Sequence, residues 1–89
     1  MSMHNAPHPG EFITNIYLKP NGIGDRKLAE TLGVARSTLS RVLQGTDRVT
    51  QNLALRLSEA LGRSPDSWLA MQDAYDLWVG LQHVNLKQR

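Results

Sequence analysis

Residues 36–41, Arg-Ser-Thr-Leu-Ser-Arg, combine two guanidinium groups with three hydroxyls and no acid, in a chain of 89 residues that has 8 acids. In a helix, Leu39 would face inward and the polar side chains would share the opposite face. Arginine can donate two hydrogen bonds to O6 and N7 of guanine, and a hydroxyl can donate to or accept from a base edge. The alternative is an ordinary solvated helix face. The lack of acids favours contacts to DNA bases, made by Arg36, Ser37, Thr38, Ser40 and Arg41.

Two short helices joined by a tight turn are predicted to position this segment. Asp25 can cap the first helix, and Gly33 can end it because glycine tolerates the positive φ of such a turn. Ala29 supplies the small residue where the two helices touch, while Leu39 and Val42 hold the second helix onto the domain. This pattern predicts a helix-turn-helix, whose second helix reads the major groove of DNA.

Glycine, proline and capping residues divide the rest of the chain into three further helices. Pro9 fits the first turn of one helix, and Thr50 can cap another. Ser64, Pro65 and Asp66 provide a cap, a first-turn proline and an early acid for the last helix. No segment alternates with a period of two for long enough to predict a strand. The sequence therefore predicts an all-α fold with five helices.

The length of the chain suits one domain, which we place at residues 1–89. Within it we expect a flexible arm at residues 1–8, a C-terminal helix at residues 64–80 and a tail at residues 81–89. Two alternatives stay open for residues 80–89, which either extend the last helix or fray. The net charge of +2 permits an anionic partner without requiring one. The chain has no cysteine and no signal-peptide pattern, and no apolar run approaches the ~20 residues needed to cross a membrane. We expect a soluble cytoplasmic protein with no membrane partner.

The predicted last helix carries large apolar side chains on one stripe, at Trp68, Met71, Tyr75 and Trp78. Trp68 and, in part, Tyr75 are expected to pack against the core. The alternative explanation is that the whole stripe packs against the core. The remaining rings would lie in water, which a small monomer avoids. We therefore predict a homodimer interface at Met71, Tyr75 and Trp78. A two-fold dimer would place its recognition helices roughly 34 Å apart on an inverted repeat of double-stranded DNA.

Residues that could support catalysis or bind a metal do not form a recognisable site. His4 and His8 are four residues apart, but Pro7 and Pro9 disfavour a helix there and no third ligand is near. We expect both histidines to be solvated. No paired acid and base, activated nucleophile or glycine-rich phosphate motif is present. We expect no catalytic residue, no metal and no cofactor.

The segment LAETLGVARSTLSRVLQG, residues 28–45, resembles the Xre/Cro-type helix-turn-helix family, the class of phage repressors. The resemblance implies a lambda-repressor-like fold. HPGEFI near the start, LALRLSEALG and SPDSWLAMQDAYDLW are similar to HigA antitoxins, also called VapI-like or antidote proteins. That similarity implies two tasks: neutralising a HigB toxin, which is a RelE-like ribonuclease that cleaves mRNA, and repressing the shared operon as a dimer.

Carried over position by position, the resemblance implies a recognition helix that begins near Ala35. It places Arg36, Ser37 and Arg41 at the main base-contacting positions, with Thr38 and Ser40 alongside. Phosphate contacts are implied at Lys27, Gln44, Arg48 and Thr50. Many antitoxins carry a long charged tail that wraps the toxin, and this sequence has none. Two alternatives stay open: a stand-alone transcriptional regulator of the same fold, and a protein-interaction module that no longer binds DNA.

Overall fold

The computed structural model describes residues 6–87, and their side chains as far as residue 84. This part of the chain contains five helices and no strand, which confirms the predicted fold class. None of these helices combines the length and the hydropathy needed to span a membrane. The helices are α1 at residues 9–21, α2 at Asp25–Leu32, α3 at Arg36–Leu43, α4 at Gln51–Leu61 and α5 at Pro65–Lys87.

The first helix, α1, widens into a π-helical turn before a proline. It is α-helical at Pro9–Ile13, π-helical at Thr14–Leu18 and α-helical again at Lys19–Asn21. Pro20 has no N–H to donate, and its ring would collide with the carbonyl four residues earlier in a regular α-helix. The wider turn accommodates the ring, because it replaces the regular bonding pattern just before Pro20. The helix therefore continues past the proline and ends at Gly22, which adopts a φ of 64°.

The hydrophobic core is built from the inward faces of all five helices. Trp68 of α5 and Leu39 of α3 are fully buried within it. Alternation of apolar and polar positions at helical spacing explains why these faces point inward. The buried apolar residues are Ile13, Leu18, Leu28, Ala29, Leu32, Leu39, Val42, Val49, Leu53, Ala54, Leu57 and Trp68.

The last helix, α5, is longer than the sequence predicted. It continues to Lys87, whereas we predicted an end at residue 80 and a tail at residues 81–89. Gly80 is followed by Leu-Gln-His-Val-Asn-Leu-Lys, which contains no proline or further glycine to stop a helix. A single glycine inside a helix lowers its stability without ending it. Residues 88–89 of the predicted tail lie outside the described residues.

The N-terminal arm also differs from the prediction where it is described. Residues 6–8 lead into α1, and His8 is buried rather than solvated. Its Nδ1 accepts a hydrogen bond of 2.9 Å from the N–H of Gly10 and so caps α1. Its ring meets the Tyr75 ring edge-on, with the centroids 4.9 Å apart. Residues 1–5 of the predicted arm, including His4, lie outside the described residues.

The protonation state of His8 fits this capping role. Burial lowers the pKa of His8 below its ordinary value, although the backbone of Asp47 and two nearby carboxylates oppose the shift. Only an unprotonated Nδ1 can accept the bond from the N–H of Gly10. The lowered pKa therefore keeps His8 in the neutral form that connects α1 to α5.

Gly10 allows α1 to pack directly against the backbone of α3. A Cβ at this position would lie 2.7 Å from the Cα of Leu43 and closer still to the carbonyl oxygen of Val42. No side chain fits in that space, so the start of α1 supports the C-terminal end of α3. The helix that carries the candidate DNA-reading residues is thus held from two sides, by α1 and by α2.

Candidate nucleic-acid interface

The helix-turn-helix consists of α2, a short turn and α3. Gly33 ends α2 with a φ of 73°, as predicted for the turn. Arg56 of α4 fixes this turn from outside, because its Nη1 donates a 2.9 Å hydrogen bond to the carbonyl of Leu32. Its Nε also donates to Asn52, at 3.0 Å. Sequence reasoning missed this contact, because Arg56 lies 24 residues from its acceptor.

The outer face of α3 presents most of the predicted base-contacting residues. Arg36, Ser37 and Arg41 are exposed, while Thr38 and Ser40 are half-buried. Thr38 lines a small cleft of about 160 Å³ between α3 and α4. Ser40 accepts a 3.3 Å hydrogen bond from the side chain of Gln44, one turn later on the same helix. The structure therefore brings all five residues to one helix and leaves three of them exposed.

Each of the two exposed arginines on α3 contacts a carboxylate from a neighbouring segment. Nε of Arg36 lies 3.2 Å from Oδ1 of Asp25, the first residue of α2. Nε of Arg41 lies 3.2 Å from Oδ2 of Asp47, in the loop after α3. The helix itself has no acid, as its sequence shows, but the fold brings two acids to it. Sequence reasoning missed both partners.

The predicted phosphate-contacting residues flank α3. Lys27 and Gln44 are exposed on α2 and at the end of α3. Thr50 caps α4, where its Oγ1 accepts a 3.2 Å hydrogen bond from the N–H of Leu53. Arg48 instead reaches α5, with its Nη2 2.8 Å from Oδ2 of Asp76. A phosphate would have to compete with this carboxylate for the Arg48 guanidinium.

Gln72 connects α5 to the loop that follows α3. Its side chain is 2% exposed, and its Oε1 accepts a 2.8 Å hydrogen bond from the N–H of Val49. Its Nε2 donates a 3.0 Å hydrogen bond to Oδ1 of Asp76, the residue that also contacts Arg48. A buried amide with both ends bonded fixes the position of the loop. The sequence offered one indication of this contact, because the Gln72 amide lies one helical turn after Trp68.

The three residues predicted for the dimer interface are only partly available for it. Met71 packs against the core, and Tyr75 contacts His8 and Trp78. All three are half-buried within their own chain. The exposed large apolar side chains of α5 are Leu77, Leu81 and Val84, with exposures of 58%, 38% and 46%. Leu81 and Val84 were missed because the helix was predicted to end at residue 80.

Comparison with known proteins identifies relatives over most of the chain. A family model described as helix-turn-helix matches residues 16–68. Virulence-associated protein I of Dichelobacter nodosus is 42% identical over 77 residues, which cover 86% of this chain and 71% of that protein. Antitoxin HigA-1 of Vibrio cholerae is 42% identical over 69 residues, which cover 78% of this chain and 65% of that protein.

Solved structures with the same fold include proteins of the same group. The crystal structure of a Nostoc punctiforme protein, described as an antidote protein of a plasmid maintenance system, has a TM-score of 0.89 and 38% identity, covering 96% of this chain and 92% of its own. Pseudomonas aeruginosa antitoxin HigA, solved with the higBA promoter, has a TM-score of 0.82 and 26% identity, covering 93% and 89%. The chain therefore belongs to the Xre/Cro-type helix-turn-helix family, in the group of HigA antitoxins and VapI-like proteins.

Proposed function

We propose that the chain is a sequence-specific repressor of its own operon and the antitoxin of a HigB-type toxin. The observation that carries the DNA-binding half is the exposed face of α3, where Arg36, Ser37 and Arg41 project from a helix whose other side is buried. A rigid helix with two guanidinium groups at this spacing suits guanine recognition in the major groove. The solved complex of Pseudomonas aeruginosa HigA with a promoter supports the same use of this fold.

The residues around α3 suit contacts to the sugar-phosphate backbone. Lys27 supplies an exposed cation, and the exposed residues Gln51 and Asn52 begin α4, a helix of 11 residues whose N-terminus favours an anion. Gln44 can donate to a phosphate if it leaves Ser40. Arg48 can do so if it leaves Asp76. These groups would fix the register of the domain on DNA, and α3 would supply the sequence selectivity.

Replacing Arg36 or Arg41 by alanine is expected to cost about 1–3 kcal/mol of operator affinity and to relax selectivity, because a bidentate base contact is lost. The measurement is a gel-shift titration with the double-stranded fragment upstream of the chain's own reading frame. Arg48→Ala is the matched comparison, since it removes the same charge from a predicted phosphate contact. It should weaken all DNA sequences alike and flatten the salt dependence. Unchanged operator binding in both Arg36→Ala and Arg41→Ala would show that α3 does not read the bases.

The antitoxin half of the proposal rests on the relatives named as antitoxin and antidote proteins. It is tested by co-expressing the chain with the product of the adjacent reading frame and asking whether the two co-purify. Relief of growth arrest caused by that neighbour would support neutralisation. If no neighbouring product binds while the promoter fragment does, the chain is a stand-alone regulator of the same fold. If neither DNA nor a toxin binds, the remaining alternative is that the chain is a protein-interaction module.

The second half of α5 offers a face for a second copy of the chain. Leu77, Leu81 and Val84 follow the spacing of one helix face, and all three are exposed. Gly80 lies on the same face, and the position of its missing Cβ has no neighbour within 4 Å. Pairing of two such helices would bury this apolar strip. The half-buried Met71, Tyr75 and Trp78 lie on the other side of α5 and would not form part of this contact.

Leu81→Asp is expected to raise the dimer dissociation constant by about 10- to 100-fold. Burial of a leucine side chain contributes ~1.5–3 kcal/mol, and the aspartate would place a charge there instead. Sedimentation velocity across a range of protein concentrations measures the change. Leu55→Asp is the matched control, since Leu55 is also exposed in a helix but lies on α4. An intact dimer in Leu81→Asp, or equal weakening in both variants, would place the two-fold contact elsewhere.

A further inference from the structure

The two arginines that face outward from α3 are held in the same way. Each guanidinium contacts its carboxylate through Nε, at 3.2 Å, in the pairs Arg36–Asp25 and Arg41–Asp47. Within the part of the chain that the structure describes, neither arginine donates a hydrogen bond from Nη1 or Nη2. The two terminal nitrogens are the pair that presents an end-on fork to the O6 and N7 of guanine. The terminal nitrogens of both arginines are therefore free of hydrogen bonds to the described part of the protein, while Nε of each is held by a carboxylate.

The backbone of each of the two acids is held in place by its own segment. Asp25 is the first residue of α2, so its backbone belongs to a regular helix. Asp47 lies in a loop folded over the end of α3, where its own N–H donates a 3.2 Å hydrogen bond to the carbonyl of Arg41. The N–H and hydroxyl of Thr46 donate to the same carbonyl, at 3.0 and 3.1 Å. Each acid thus restrains its arginine from a segment other than α3.

An acid next to a DNA-binding surface has an electrostatic cost. Asp25 and Asp47 repel phosphates and so reduce affinity for DNA of any sequence. An acid that restrains a base-reading arginine also lowers the conformational entropy lost on binding and favours one orientation of the fork. The first effect acts on all sequences, whereas the second acts only where a guanine meets the fork. Repulsion therefore lowers the specific and the non-specific affinity alike, and only the positioning effect raises their ratio.

We propose that Asp25 and Asp47 are specificity-determining positioning residues, which orient Arg36 and Arg41 for guanine while they lower affinity for DNA of any sequence. The proposal rests on the proposed DNA-binding function of α3. It assigns the selectivity of the recognition helix to two residues outside that helix. Their removal has an unusual signature, because affinity for non-operator DNA rises while discrimination falls.

The test compares Asp25→Ala and Asp47→Ala with the wild-type chain on two DNA duplexes of equal length, the fragment upstream of the reading frame and a scrambled fragment. Each variant is expected to bind the scrambled fragment at least as tightly as the wild type. Exposed ion pairs have modest energies, so the affinity ratio between the two duplexes should fall about two- to fivefold for each variant. Asp25→Asn and Asp47→Asn keep an oxygen acceptor and should lie between.

Glu59→Ala is the charge-matched control, because Glu59 is an exposed acid near the far end of α4. It should leave the ratio unchanged. A double-mutant cycle separates orientation from charge, since Asp25→Ala should cause no further loss of selectivity in a chain that already carries Arg36→Ala. Circular dichroism on each variant confirms that the helices remain folded.

Three results would overturn the proposal: an unchanged ratio in both alanine variants, an equal fall in Glu59→Ala, or a full further loss in the Arg36→Ala background. In each of these cases the wild type would still discriminate between the two duplexes, so the proposed function would stand. A wild-type chain that binds both duplexes equally would instead overturn the DNA-reading function itself, and the positioning role with it.

Discussion

Gly10→Ala is expected to lower the free energy of unfolding by about 3 kcal/mol, at the upper end of the range for overpacked sites. The added methyl group would meet backbone atoms of α3, with the Cα of Leu43 at 2.7 Å. Backbone cannot rotate away as a flexible side chain can, so α1 or α3 must shift. Alanine favours a helix over glycine by only ~1 kcal/mol, and the clash outweighs that gain. A chain of 89 residues has a total stability of roughly 4–13 kcal/mol, so the loss would be readily measured.

Urea unfolding followed by circular dichroism gives the change, with Gly24→Ala as the control. A Cβ at Gly24 would meet nothing within 4 Å, and its φ of −102° suits alanine. The control should cost less than ~1 kcal/mol, since Gly24 precedes α2 and glycine is a somewhat better cap than alanine. Equal effects in the two variants would mean that α1 does not approach α3 closely. The distinction bears on function, because α1 supports the end of the helix that faces DNA.

The helix-turn-helix could be predicted from sequence because its requirements are local. A glycine with positive φ ends α2, a threonine caps α4 and a proline starts α5, and each of these lies at the predicted residue. The exposed face of α3 followed from helical spacing alone, since Leu39 and Val42 had to face inward. Caps, turns and periodicity act over a few residues, and the sequence displays them directly.

The polar contacts of the site could not be predicted in the same way. Periodicity shows which face of a helix is solvated, but it does not show which polar group from another element meets it. Asp25 and Arg36 are 11 residues apart, and Gln72 bonds a backbone N–H 23 residues away. The burial of His8 depends on α5, which packs against it through Tyr75. The end of α5 was misplaced because one glycine is a weak stop inside a helix with no later breaker.

Trp68→Ala is expected to cost about 3–5 kcal/mol of stability, because it removes the largest fully buried side chain. The indole lies between elements that are distant in sequence. Its centroid is 5.9 Å from the Phe12 ring of α1, in an edge-on arrangement, and the Arg63 guanidinium lies 5.7 Å from it. A cavity at this point would leave α5 without its main contact to α1, and the few surrounding residues could not fill it.

Trp68→Phe separates the contribution of ring volume from that of the indole N–H. Nε1 of Trp68 donates a 3.0 Å hydrogen bond to the carbonyl of Gly62, which precedes α5. Phenylalanine keeps an aromatic ring in the core but leaves that carbonyl without its donor, so the expected loss is about 1–3 kcal/mol. In thermal unfolding, the melting temperature should therefore be lowest for Trp68→Ala, intermediate for Trp68→Phe and highest for the wild type. A loss under ~1 kcal/mol in Trp68→Ala would contradict the burial of its indole.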